Sequence, residues 1–283
     1  AERMMDRDFE TVYADFGLQQ AYSRDKSSFS YMYRLTDKIT LIALDTNRGG
    51  GNGVVAQNTL SWLEKELEKA DEDTVFISMT HQNLLSHFGD EMFSNSYSII
   101  NNQPLIELFQ QYNVKLNLSG HIHTQHIFSE NGITDIATES MAVLPCNYGV
   151  VHIDSNSINY STQTVNIEKW AKENNIKDEN IRDFDNYAKD FYIKSQSMLC
   201  MSALEDYTYP KEEKKLLADF FAELNVYYFS GTVDKYYDYL TETEGYKKWL
   251  EKGEDLWHYQ YIMSRMEEGK SGVPHNSCTI ALN

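Results

Sequence analysis

Two histidines one residue apart, His121 and His123, follow an alternating apolar run and share a short loop with Ser119 and Gly120. The run, Val114-Lys115-Leu116-Asn117-Leu118, predicts a buried strand that ends in a turn. Imidazole is the commonest protein ligand for metals at neutral pH. A second predicted strand, Thr74 to Thr80, ends on His81. Ligands of open α/β sheets collect at the carboxyl ends of strands, so His81, His121 and His123 are the candidate metal ligands. In an extended loop His121 and His123 face opposite ways, so they serve one ion only if the loop turns, or two neighbouring ions without strain.

The other histidines carry weaker signals. His87 follows His81 in a long polar loop running from Gln82 to about Asn101. Substrate contact and a solvated loop position are both open for it. His126 begins a predicted strand and is expected at the surface, with support of a metal ligand as the other reading. His152 and His258 suit structural positions, the latter beside Trp257. His275 lies in a terminal stretch, from Gly269 onward, that shows no pattern.

The elements that must position these residues alternate. A strand at 39–45 leads through a glycine-rich loop, 49–53, to a helix with Leu60, Leu63, Leu67 and Ala70 on one face. The strand ending at His81 follows. A helix from about Asn102 carries Pro104 in its first turn, where a missing N–H is harmless. The strand into Gly120 comes next, then short strands near 126–129 and 134–138, and a hairpin of 148–153 with 157–165. From about Ile167 the period becomes helical, over 184–199, 216–228, 233–241 and 255–267. The expected architecture is an α/β part over 1–166 and an all-α part over 167–283.

Composition narrows the function classes. A chain of 283 residues that is 41% hydrophobic can build a sizeable core. A formal net charge of −18 opposes binding to nucleic-acid backbones and to anionic membranes. No apolar run of about 20 residues offers a transmembrane helix, and the first residues, Ala1 to Asp6, show no apolar signal core. Cys146, Cys200 and Cys278 are odd in number and far apart, which fits reduced, structural thiols. The compartment stays open.

Asp45-Thr46-Asn47, the helix segment Trp62 to Leu67, His81, and Ser119-Gly120-His121-Ile122-His123 together resemble the C-terminal half of the calcineurin-like metallophosphoesterases. The likeness is greatest to the bacterial branch that includes cyclic-nucleotide phosphodiesterases. The stretches Tyr13 to Gly17 and Ser28 to Tyr31, and the helical extension, are similar to that branch too. The resemblance implies a partial αββα sandwich followed by the helical domain. It implies that His81 and His121 bind one metal and His123 the other, in a dinuclear centre of Mn, Fe or Zn that hydrolyses a phosphate ester. The substrate class would be a phosphodiester, with a cyclic nucleotide as one candidate. Relatives of this kind are often exported.

The chain also departs from the family pattern. No Asp-x-His and no Asn-His occurs, and Gly89-Asp90 follows His81 rather than preceding it. The family's acid histidine is thus absent, and so is its carboxylate bridge. Two dications without that bridge repel each other strongly, so at most one ion is expected, held by His81 and His121 with water. A sandwich short of strands leaves an apolar sheet face, which predicts a homodimer or a bound fragment covering it. Two readings follow: a metal-dependent phosphoesterase whose site is incomplete, so that this chain is expected to be inactive alone, or a binding and scaffold module acting through its helical domain.

Overall fold

The computed structural model describes residues 6–47, 53–88, 97–252, 256 and 258–282. The chain divides into two compact units, residues 1–122 with 128–137, and residues 123–127 with 138–283.

The first unit opens with α1 (Asp6–Val12), an irregular turn at Ala14–Leu18, and β1 (Ser23–Arg24). A mixed sheet follows: β2 (Tyr31–Arg34), β3 (Ile39–Ala43), β4 (Val75–Met79), β5 (Leu116–Ser119), β6 (His126–Glu130) and β7 (Ile133–Ala137). The strand order is β1-β2-β3-β4-β5-β7-β6. The β1–β2 and β2–β3 pairs are antiparallel, while β3, β4, β5 and β7 run parallel. Parallel neighbours need a crossover, which α2 (Gln57–Leu67) supplies between β3 and β4, and α3 (Gln103–Gln111) between β4 and β5. Leu60, Leu63 and Leu67 of α2 and Leu105, Leu108 and Phe109 of α3 form one core with Met32, Ile42 and Phe76 of the sheet. Asn131 and Gly132, both at positive φ, make the two-residue turn between β6 and β7.

The second unit holds an antiparallel sheet, β8 (Asn147–Ile153), β9 (Ser157–Thr164) and β10 (Ser277–Ala281), in the order β10-β9-β8. Asp154 accepts the backbone N–H groups of Asn156 and Ser157 and so closes the β8–β9 turn. The helices are α4 (Ile167–Glu173), α5 (Glu179–Arg182), α6 (Phe184–Ala203), α7 (Lys211–Phe229), α8 (Val233–Glu242), α9 (Glu244–Lys252) and α10 (Tyr259–Ser271). Leu217, Phe220 and Leu224 of α7 pack with Leu240, Trp249, Ile262 and Met266. Trp249 is fully buried and donates its indole N–H to the Leu217 carbonyl at 3.0 Å. Gly245 permits the close approach of α9 to α7: a Cβ there would meet the Phe220 Cβ at 2.5 Å.

The structure is thus mixed α/β with several C-terminal helices, and the strands expected at 126–129, 134–138, 148–153 and 157–165 are present within a residue or two. The all-α expectation for 167–283 needs correction. The patternless stretch after Gly269 contains β10, which pairs along β9 from Ser277↔Ser161 to Ala281↔Ser157. Its side chains alternate only between exposed and half-buried, so it leaves no hydrophobic period to detect. The compact units also divide elsewhere than at residue 166, with the β8–β9 hairpin joining the helices. The helix expected over 255–267 begins only at Tyr259, and α9 was not anticipated. The glycine-rich loop is described only at Gly53, and Gly89-Asp90 and Trp257 lie outside the described residues. Among the described residues no helix is long and apolar enough to cross a membrane.

Candidate functional site

His81 and His121 emerge at the carboxyl ends of β4 and β5, which are adjacent and parallel. The Gly120 N–H donates to the His81 carbonyl at 3.1 Å, tying the two loops together. His121 takes a left-handed backbone, φ 66°, which turns its ring back toward β4. The Nδ1 of His121 then lies 3.0 Å from Nε2 of His81. Without an ion one of these nitrogens carries the proton and donates it to the other. The same approach lets both reach a single cation with bonds of about 2.1 Å. His123 is exposed and also left-handed, φ 56°. It belongs to the second unit.

A buried polar network holds the two loops from beneath. At its hub is Asp135 on β7. Its Oδ2 accepts the backbone N–H groups of Leu84 and Leu85 at 2.6 and 2.9 Å, just after His81. Its Oδ1 accepts Asn117 Nδ2–H and Ser119 Oγ–H, both at 2.8 Å, just before His121. The Asn117 amide also donates to Thr80 Oγ1, and the Asn83 amide donates to Ser119 Oγ. Burial works against the Asp135 charge, but His87, Leu85 and Asn117 outweigh it and hold the carboxyl below its ordinary value.

His87 completes this network. Its side chain is fully buried, with Nε2 3.3 Å from Asp135 Oδ2. This is neither the substrate-facing nor the solvated loop position considered for it, because the chain after His81 turns inward. Leu84 and Leu85 enter the core there, so the first half of the expected polar loop is packed structure. Asp135 was missed altogether. The available signal was weak: Asn117 lies between two leucines, and Asp135 lies within a short run bounded by Ile133 and Ala137.

Beside His81 an open groove of about 790 Å³ runs along the strand ends, walled by Phe9, Tyr13, Phe16, Phe29 and Tyr31. Asp45 and Asn47 line the same groove. The Asp45 carboxylate is fixed by the N–H groups of Phe29 and Asn47, and Asn47 Oδ1 accepts from Gln82 Nε2 at 3.0 Å. Among the described residues no third His, Cys, Asp or Glu joins His81 and His121 in a metal-sized cluster.

His126 is not at the surface as expected, and His275, for which the sequence carried no signal, lies beside it. His126 and His275 are both buried, in the second unit, against Glu268 of α10.

Residues 166–271 match the family of the C-terminal domain of cyclic nucleotide phosphodiesterase. The helical region is thus phosphodiesterase-like, and the match covers less than half of the chain. A search of curated proteins finds no match. Among solved structures the chain is similar to GAP50, the anchor in the inner membrane complex of Plasmodium. The TM-score is 0.35 and the identity 16%, over 48% of this chain and 50% of that one.

Proposed function

We propose that this chain is part of a calcineurin-like, metal-dependent phosphoesterase acting on a phosphodiester, with its first unit a partial αββα sandwich. The observation that carries the reading is the His81–His121 pair, 3.0 Å apart at the ends of two parallel strands. The phosphodiesterase-like helical region supports it. His81 and His121 would hold one Mn, Fe or Zn ion. A bound ion would supply a polarised phosphoryl group and an activated water. The Asp135 network keeps the two imidazoles at that separation. The aromatic groove offers faces on which a planar base stacks, and its volume suits a nucleotide-sized ligand.

The test compares the chain with His121→Ala in Mn²⁺ titration and in hydrolysis of bis(p-nitrophenyl) phosphate. The expected result is one Mn²⁺ equivalent lost in the variant. Loss of a direct ligand should weaken binding by more than the roughly 10–100-fold typical of an outer-shell partner. Any hydrolysis by the parent should vanish with it. Unchanged Mn²⁺ binding in the variant, with no hydrolysis by either protein, would sink the reading.

The sandwich reading also predicts a homodimer. Tyr33, Ile39, Leu41 and Val75 lie on the sheet face opposite Ile42 and Phe76 and are only partly buried. A second copy covering that face would bury apolar area at about 25 cal/mol per Å². Sedimentation equilibrium at micromolar concentration should show a dimer that Leu41→Asp dissociates; a monomeric parent chain would count against it.

The scaffold reading has its own observation. Helix α6 exposes Tyr187, Phe191, Met198 and Leu199, with Phe191 62% and Met198 72% accessible. Such a stripe is unusual on a solvated helix. A protein that binds no ion at His81 and His121 would favour this second reading.

A further inference from the structure

We propose that the outward face of α6, with the hollow beside α5, is a docking surface for a basic amphipathic helix of another protein. This rests on the scaffold reading and gives its partner a chemistry. It uses neither His81 nor His121.

One side of α6 is already engaged within the second unit. Ser197 Oγ–H donates to Asp219 of α7 at 3.1 Å, and Asn225 of α7 donates its amide N–H to Gln196 at 3.0 Å. Cys200 is buried in the same core as Leu217. The opposite side is free of such packing. Tyr187, Phe191 and Met198 follow at i, i+4 and i+11, a spacing that keeps them on one face, and all three are exposed. The rings of Tyr187 and Phe191 stack, with centroids 6.2 Å apart. At about 1.5 Å per residue the stripe is about 16 Å long, or three turns of a docked helix. An open hollow of about 680 Å³, lined from both α5 and α6, lies beside the two rings. Aromatic residues and Met are the types enriched in the centres of protein interfaces, and an apolar ledge beside a groove is how amphipathic helices are received.

Charge selects the occupant. The hollow carries Glu179, Asp183 and Asp190, and among the described residues none of these carboxylates is in an ion pair. Arg182 and Lys194 line it too and offset part of that charge. Residues 178–194 as a whole hold five acids, with Asp178 and Asp185 the other two, against three bases. A second copy docked by two-fold symmetry sets the same patch against itself, so excess carboxylate meets excess carboxylate. The net charge of −18 on each chain opposes that encounter further, and it opposes an anionic membrane in the same way. A helix with Lys or Arg flanking an apolar stripe meets the rim with the opposite sign, and the same field speeds its approach.

The test uses the full chain and two fluorescently labelled probes: a Leu/Lys amphipathic helical peptide and a Leu/Glu peptide of the same length and pattern. Anisotropy titration should show one Leu/Lys peptide per chain, bound more weakly as salt rises, and no binding of the Leu/Glu peptide. Phe191→Ser with Met198→Ser should weaken Leu/Lys binding by about tenfold or more, the loss expected of interface anchors. Asp183→Lys with Asp190→Lys should weaken it too and should admit the Leu/Glu peptide. All four side chains are exposed, and a thermal melt matching the parent's confirms that each variant folds. Leu/Lys binding unchanged by Phe191→Ser with Met198→Ser would place the peptide elsewhere and overturn the proposal. Equal affinity for both peptides, lost in that variant, overturns the basic partner but leaves the scaffold reading standing. No binding of either peptide counts against both. A dimer in sedimentation equilibrium that Phe191→Ser with Met198→Ser dissociates would make a second copy the occupant, and it also overturns the proposal.

Discussion

Asp135→Asn is expected to lower folding stability by about 3–5 kcal/mol, the cost of removing one partner from a buried charged network. The Asp135 oxygens accept four hydrogen bonds, from Leu84, Leu85, Asn117 and Ser119, and face His87. An asparagine of the same shape keeps one acceptor and turns an amide donor toward groups that are themselves donors. The carboxyl of Asp135 is held below its ordinary value of 3.8 in the folded chain. Its contribution is therefore fully present above that value and is lost as pH falls through the depressed one. The parent and the variant should differ by a constant amount from pH 7 to pH 4 and converge only in stronger acid. Urea denaturation at several pH values measures this. A variant within about 1 kcal/mol of the parent at pH 7, the net worth of one ordinary hydrogen bond, would show that the network is not what holds the β4 and β5 loops. Because the network meets the chain just after His81 and just before His121, the variant should also bind Mn²⁺ more weakly.

Glu139→Gln should act in the opposite direction. The Glu139 Oε1 accepts the Asn147 N–H at 2.5 Å, while Oε2 has no hydrogen-bond partner among the described residues. Burial, only partly offset by Asn147, pushes its carboxyl up to about 7 from 4.5. A raised acid has the reverse sign. Stability is complete below pH 4.5, where both states hold the proton, and falls as pH rises from 4.5 to about 7, because the unfolded chain ionises more easily. The glutamine variant lacks this loss. It should match the parent near pH 4 and exceed it at pH 8 by a gain of order 3 kcal/mol. Guanidinium denaturation at the two pH values tests it, and equal stability at pH 8 would refute it. The same substitution should ease the Cys146 thiol, which burial first and the Glu139 charge second hold above its ordinary value.

Much of the framework was legible in the chain. The faces of α2 and α3, the ends of β4 and β5, and the β8–β9 hairpin follow from apolar periods of 3.6 and 2. The strand-end positions of His81 and His121 were legible as well, whereas their pairing was only what the family resemblance implied, and the adjacency of β4 and β5 brings them together. β10 and α9 were not. β10 buries too little on either face to print a pattern, and α9 lies outside the segments whose period was recognised.

The sequence by itself determined the alternation of strands and helices, the acidic charge that opposes nucleic-acid binding, and the strand-end positions of His81 and His121. Tertiary structure decided what the polar residues do. Asn117 and Ser119 alternate with leucines and look like a solvent face, yet β5 is a central parallel strand, and both residues are buried. Their polarity was therefore spent on Asp135 rather than on water. His126 and His275, 149 positions apart, show the same limit. Nothing adjacent in sequence links them, and only the fold brings both to one carboxylate oxygen. Local periodicity reports which residues leave water, whereas the partner a buried polar group finds is set by contacts between distant segments.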